Sequence, residues 1–163
     1  MAFNINPETK ISEAAMFHGV RVYRLSLQSI PNAVFTSVKW DRVQYDTDNF
    51  IDLAVSTTKI MIPKGVDYVR ITAQVGWEAM TGAAIEWVEV LQNSGLMVPR
   101  IAVRSLTGGV EKYSALASGV VPVSVGDDLQ FAVLHSEGVN VNLAANYTWM
   151  QVEVIKTPIG RPT

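Results

Sequence analysis

Residues 124–133, SVGDDLQFAV, set two adjacent acids, Asp127 and Asp128, ahead of an apolar run. Paired carboxylates can do general acid–base chemistry or hold a metal. The glycine before them offers a simpler reading. Gly126 can take a turn conformation that other residues resist. Asp127 can then bond to nearby backbone amides while Asp128 opens the next strand. Turn chemistry accounts for both acids, so the pair is read as architecture.

The other reactive residue types are sparse. DTDNFID places Asp46, Asp48, Asn49 and Asp52 within seven residues. Calcium takes six to eight oxygens, and acids on a loop can supply them. The glycine and later glutamate of an EF-hand are missing at the required spacing. A polar solvated loop accounts for the segment first, and Asp46, Asp48 and Asp52 stand as the calcium candidates. Glu86 and Glu89 could suggest a glycosidase pair, but three residues apart on a strand they leave opposite faces. Two carboxylates acting on one sugar bond must face each other at about 5–10 Å. His18 and His135 are the only histidines and there is no cysteine, so a usual zinc site is excluded. His135 is expected at a strand end, partly in contact with solvent. No nucleophile elbow, Walker loop or dinucleotide fingerprint occurs. Asn146-Tyr147-Thr148 is a glycosylation sequon in form only. The sequence predicts no catalytic residue and no cofactor, hence no enzyme.

The elements that position these residues are strands. The chain has 163 residues, which suits one domain, and 48% of them are hydrophobic against 17% charged. That charged share is low for a soluble domain and hints at surface covered by partners. A net charge of −2 with scattered Lys and Arg gives no footprint for nucleic acid or an anionic membrane. In YVRITAQVGW, Val69, Ile71, Ala73, Val75 and Trp77 alternate with Tyr68, Arg70, Thr72 and Gln74, a half-buried strand. VNVNL repeats the pattern with Val139, Val141 and Leu143 inward, and TWMQVEV does so with Met150, Val152 and Val154. Further strands are expected at 20–27, 34–45, 58–62, 84–92, 97–104, 120–125 and 128–135, separated by turn clusters. Many short strands at this spacing predict an all-β sandwich or barrel.

The two ends differ from this pattern. Asn6 and Pro7 make a capping signal, and Ile11, Ala14, Ala15 and His18 follow helical spacing before Gly19. Residues 1–18 are expected as a short helix or an extended arm, and KTPIGRPT as an irregular tail over 157–163. The first residues lack the basic and apolar regions of a secretory signal, so the expectation is a protein made in a cytoplasm.

VKWDRVQYDTDNFIDLAVSTTKIMIPKGVDYVRITAQVGW resembles the front half of the complement-head and tumour-necrosis-factor-like jelly rolls, with Pro63, Gly65 and Tyr68 at the family's P-x-x-G-x-Y, one residue longer than usual. VSVGDDLQFAVLHSEGVNVNLAANYTWMQVEVI is similar to the back half: Gly126 and Asp127 match its Gly-Asp pair, and Trp149 lies near its closing aromatic. Gln151 stands where the family has a closing glycine. The resemblance covers residues 20 to 156. It implies an antiparallel jelly-roll sandwich over 19–156 and a homotrimer whose axis is lined by aromatic and apolar side chains. Tyr23, Phe131, Tyr147 and Trp149 are the candidates for that axis. The apparently two-sided strand FAVLH, with Phe131 and Val133 on one side and Ala132 and Leu134 on the other, also calls for a covering neighbour.

A trimeric jelly roll without cysteine or secretory signal leads to the expectation of a bacteriophage virion protein, made in the host bacterial cytoplasm and carried in the virion. With no room for a shaft, a capsid decoration (cement) protein or short head fibre fits best, bound to the major capsid protein or another virion protein. Phe3, Ile5, Ile11, Met16 and Phe17 would anchor the N-terminal arm there. The alternative is a tail or baseplate module that binds a receptor or carbohydrate through loops such as DTDNFID and SLTGGVEKY. Turnover of polysaccharide through Glu86 or Glu89 would be the enzymatic reading.

Overall fold

The computed structural model describes residues 17–155 apart from 79, 81–84, 97–100 and 105–110. The anchoring candidates Phe3, Ile5, Ile11 and Met16 and the tail 157–163 lie outside these residues. Among those described, the chain forms strands and no helix. One sheet runs β2 (Gln28–Ile30), β12 (Val141–Leu143), β6 (Tyr68–Glu78), β13 (Trp149–Val154), β1 (Gly19–Tyr23), β4 (Arg42–Asp46), and β10 (Glu111–Pro122) also pairs with β6. The second runs β3 (Thr36–Ser37), β11 (Asp128–His135), β7 (Ile85–Gln92), β8 (Gly95–Leu96), with β5 (Ile60–Met61) on β11 and β9 (Ile101–Arg104) on β7. Every pairing is antiparallel. This is the expected all-β jelly-roll sandwich.

The alternation of β6 holds along the strand: Val69, Ile71, Ala73, Val75 and Trp77 are buried while Tyr68 and Arg70 are exposed. Trp40, Phe50, Ile60, Ile71, Leu129, Phe131 and Met150 close the core between the sheets. Each such side chain contributes about 1.5–3 kcal/mol on burial. Gly19 opens β1 because nothing larger fits. At φ +150°, a Cβ there would lie 2.0 Å from the Val152 carbonyl oxygen.

Several expectations need correcting. The strand foreseen at 34–45 is two short strands, β3 and β4, and the one at 20–27 stops at Tyr23 because the chain turns at 24–27. Val139 is 64% exposed and precedes β12 instead of joining it. The strand expected at 120–125 is the end of β10, whose Tyr-Ser-Ala-Leu-Ala-Ser run lacks the β-branched residues that mark strands in sequence. β10 follows β6 in register from Glu111↔Glu78 to Ala117↔Thr72, then shifts before Val120↔Arg70. At that irregularity the Ile71 amide donates to the Ser118 hydroxyl at 2.8 Å, so a side chain stands in for the ladder. On the second side of FAVLH, Ala132 is only 2% exposed within the single chain, while Leu134 is partly exposed.

Candidate functional site

The acids of the opening motif are engaged in a turn. Asn93 and Ser94 take positive φ (52° and 63°) in the two-residue link between β7 and β8, the backbone of a type I′ hairpin. Asn93 Nδ2 donates to Asp127 Oδ1 at 2.7 Å, and Gln92 Nε2 and the Ser124 amide donate to Asp127 Oδ2 at 2.6 and 2.8 Å. Asn93 Oδ1 accepts from the Asp128 amide at 3.0 Å. Asp128 itself takes Lys59 Nζ at 3.2 Å and Gln130 Nε2 at 2.8 Å. The donors, Asn93 first, then the Ser124 amide and Gln92, hold the Asp127 carboxyl below its usual range against a small burial penalty. The two carboxylates fasten one hairpin end to the next turn and are not a reactive pair.

The calcium candidates do not converge. Asp46 accepts from the Phe50 and Ile51 amides at 2.9 and 3.0 Å, and Asp52 from the Ala54 amide at 2.9 Å. Asp48 faces His18 Nδ1 at 3.1 Å. Asp46 and Asp52 thus close their own stretches of loop while Asp48 reaches back to His18, and no group of three or more potential metal ligands occurs among the described residues.

His135 is not at a wet strand end. It is fully buried, its Nε2–H donates to the Ile30 carbonyl at 2.9 Å, and its Nδ1 accepts from the Glu137 amide at 3.3 Å. These partners fix the orientation of the ring, whose edge meets Trp77 at 5.3 Å between centroids. Glu86 pairs in register with His135 and Glu89 with Ala132, so the two glutamates do lie on opposite faces. Both are buried, which the sequence pattern did not foretell. Glu86 accepts from the Ser114 hydroxyl at 2.6 Å, a polar tie between the two sheets rather than half of an acid pair.

The aromatic candidates separate. Phe131 is fully buried and stacks on Trp40 at 6.2 Å, so it belongs to the core of the chain and cannot line an intersubunit axis. Phe17 stays with the barrel, its ring edge 5.1 Å from Tyr45. Tyr23, Tyr147 and Trp149 lie toward the outer side of the first sheet. There Tyr147 meets Tyr113 of β10 edge-on at 5.3 Å, and each is 46% exposed. Gly76 makes the pair possible, since a Cβ on it would lie 2.6 Å from Tyr147 Cβ. Ala115 and Ala117 extend this face as small exposed residues. Tyr113 was not singled out from sequence; the period-two placement of Tyr113, Ala115 and Ala117 was the available signal.

Two strands away, Arg21 lays its guanidinium over the Trp149 ring, 4.3 Å from the centroid. Arg21, Tyr23, Gln44, Asn146 and Trp149 line an open pocket of about 310 Å³. The loop behind it is fixed by charge. Arg24 is buried and donates to the Ser26 and Leu27 carbonyls at 3.0–3.2 Å. Asp41 accepts from the Leu25 and Ser26 amides at 2.8 and 3.0 Å and from the Ser26 hydroxyl. Burial opposes charge on Asp41, but the Ser26 hydroxyl, the two amides and Arg24 outweigh it and hold the carboxyl below its usual range.

No protein-family model matches this chain, and no curated protein matches its sequence. Solved structures do match its fold. Murine APRIL at pH 8.5 superposes with a TM-score of 0.62 at 11% identity, over 86% of this chain and 100% of that one. Murine APRIL at pH 5.0 gives 0.59 at 13% identity over the same shares. Eiger TNF from S. frugiperda gives 0.54 at 14% identity, over 90% of this chain and 97% of that one. The chain thus has a tumour-necrosis-factor-like jelly-roll fold.

Proposed function

We propose that this chain is a non-enzymatic structural protein that assembles as a homotrimer through the outer face of the β10–β6–β13 sheet. The observation that carries the reading is the Tyr113–Tyr147 pair, two large aromatic rings held against each other and half exposed beside the small residues Ala115 and Ala117. Aromatic side chains are enriched where subunits meet, and small neighbours let a second chain approach closely. Threefold association is what the resembled family implies. Light scattering on the full chain should give three times its 17.9 kDa mass. A single-chain mass at micromolar concentration would overturn the reading.

The finer reading is a bacteriophage virion protein, a capsid cement or short head fibre attached to the shell through residues 1–16. It draws on the sequence: the apolar positions Phe3, Ile5, Ile11 and Met16 precede the period-two strand pattern that begins at residue 20. About 1–2 kcal/mol of conformational freedom is lost per residue ordered on docking, and these side chains are the ones able to offset it. Deleting residues 2–16 should leave a folded barrel of unchanged oligomeric state that no longer co-purifies with particles. Normal occupancy of the truncated protein would show that the barrel carries the attachment.

A further inference from the structure

We propose that the pocket formed by Arg21, Tyr23, Gln44, Asn146 and Trp149 binds an acidic saccharide unit, a hexose ring that carries a carboxylate.

Three features of the pocket point to this ligand. The first is a pre-positioned cation. Arg21 Cζ lies over the Trp149 ring, 4.3 Å from the centroid, a cation–π contact that restrains the guanidinium. The planar fork of guanidinium N–H groups matches a carboxylate in a bidentate way. The second feature is the pair of amides. Gln44 and Asn146 each offer both donors and an acceptor, which suits neighbouring hydroxyl groups that donate and accept in turn. The third is apolar surface: Tyr23, the cross-strand partner of Trp149, adds a second ring to the lining, and with Arg21 over Trp149 it is the Tyr23 ring against which the C–H face of a sugar can rest.

The lining residues come from rigid parts of the fold. Arg21 and Tyr23 are two apart on β1 and share its outer face, since Val20 and Val22 point into the core. Gln44 sits where the β1–β4 register shifts and one residue of β4 is left over. Such bulges re-aim a side chain. Asn146 holds φ +67°, its amide donates to the Arg24 carbonyl at 2.8 Å, and the Arg24 amide donates to the Thr148 carbonyl at 3.0 Å. These bonds lock the 144–148 turn to the end of β1, so the site is formed before a ligand arrives, which limits the ordering cost. A volume of about 310 Å³ is at the small end of ligand pockets and suits one or two sugar rings.

The pocket adjoins the face assigned to self-association, since Trp149 lies on β13 and Asn146 precedes Tyr147, so binding and oligomeric state are read separately. Tyr113 on β10 is set apart from Arg21 and Tyr23 on β1 by β6 and β13, about 14 Å at ordinary strand spacing, whereas Tyr147 lies in the turn that also carries Asn146.

The test is chemical-shift mapping on the ¹⁵N-labelled full chain, with its oligomeric state measured separately by light scattering. The probes are 3′-sialyllactose and glucuronate, with lactose as the neutral sugar and acetate as the bare carboxylate. The acidic sugars should shift the Trp149 indole and the Gln44 and Asn146 side-chain amides, and bind at least about tenfold more tightly than lactose or acetate. Arg21→Ala should weaken sialyllactose binding by at least about tenfold, and Arg21→Lys should not restore it, because the charge returns without the fork. Asn146→Gly keeps the positive φ and should weaken binding with the fold intact. Equal binding of lactose and sialyllactose, equal binding of acetate, or shifts confined to other residues would overturn the proposal. Binding seen only in a dissociated Tyr113/Tyr147 variant would also overturn it, by making the pocket part of the subunit contact.

Discussion

The two faces of the sheet that carries β10, β6, β13, β1 and β4 arise from one alternation and meet different fates. Inward, Val69, Ile71, Val75, Trp77, Met150 and Val152 are enclosed by the second sheet. Outward, Tyr113, Tyr147, Tyr23 and Trp149 carry comparable aromatic bulk, with no second sheet over it among the described residues. The inner face stabilises the folded chain. The outer face adds little to that stability, so its aromatics point to use by a partner. Burial by the chain itself, more than residue type, separates a core aromatic from a binding aromatic.

The largest effect should come from the core. Phe131→Ala removes a fully buried ring stacked on Trp40, and the denaturation midpoint should report a loss of about 3–5 kcal/mol. A loss below 1 kcal/mol, comparable to Tyr147→Ala, would erase the contrast between the faces. Next comes Gly19→Ala, whose Cβ would meet the Val152 carbonyl oxygen at 2.0 Å. β1 must shift or detach, at a cost of about 1–3 kcal/mol by thermal melting. Smaller again for the single chain is the Tyr113→Ser/Tyr147→Ser pair. Its own stability should change by about 1 kcal/mol or less, while light scattering falls from trimer to monomer. Gly76→Ala sharpens this, because it displaces Tyr147 without altering either tyrosine and should weaken assembly in the same way.

The smallest effect concerns pH. Asp127 titrates below its usual range in the folded chain, so between that lowered value and the unfolded value near 4 the unfolded state binds more protons. Its contribution is complete above the unfolded value and is lost as pH falls through the folded one. Urea midpoints from pH 7 down to 2 should therefore fall less steeply for Asp127→Asn than for the parent chain. An unchanged acid slope would show that the turn does not depend on the charge.

Much of the framework was legible in the sequence. The strand at 68–78 alternates over its whole length, and apolar positions on a pleated strand have one way to be buried together. Gly126-Asp127 read as a turn because glycine and aspartate act there through local backbone chemistry. The 111–122 strand was illegible because alanine, serine and glycine carry almost no strand preference, and its pairing with β6 is decided by a partner more than thirty residues away. His135 looked like a surface residue because sequence cannot show that the Ile30 carbonyl waits for its ring.

The sequence by itself determined the fold class, the absence of thiol chemistry and the local turns, since periodicity, composition and turn residues act within a few positions. Tertiary structure alone decided which aromatics are core and which are surface. It also decided that Asp46 and Asp52 serve backbone amides while Asp48 faces His18, and that Arg21, Tyr23, Gln44, Asn146 and Trp149 meet in one pocket. These outcomes depend on strand order and register, which join residues 21, 44 and 149 across three adjacent strands and leave no trace in their spacing along the chain.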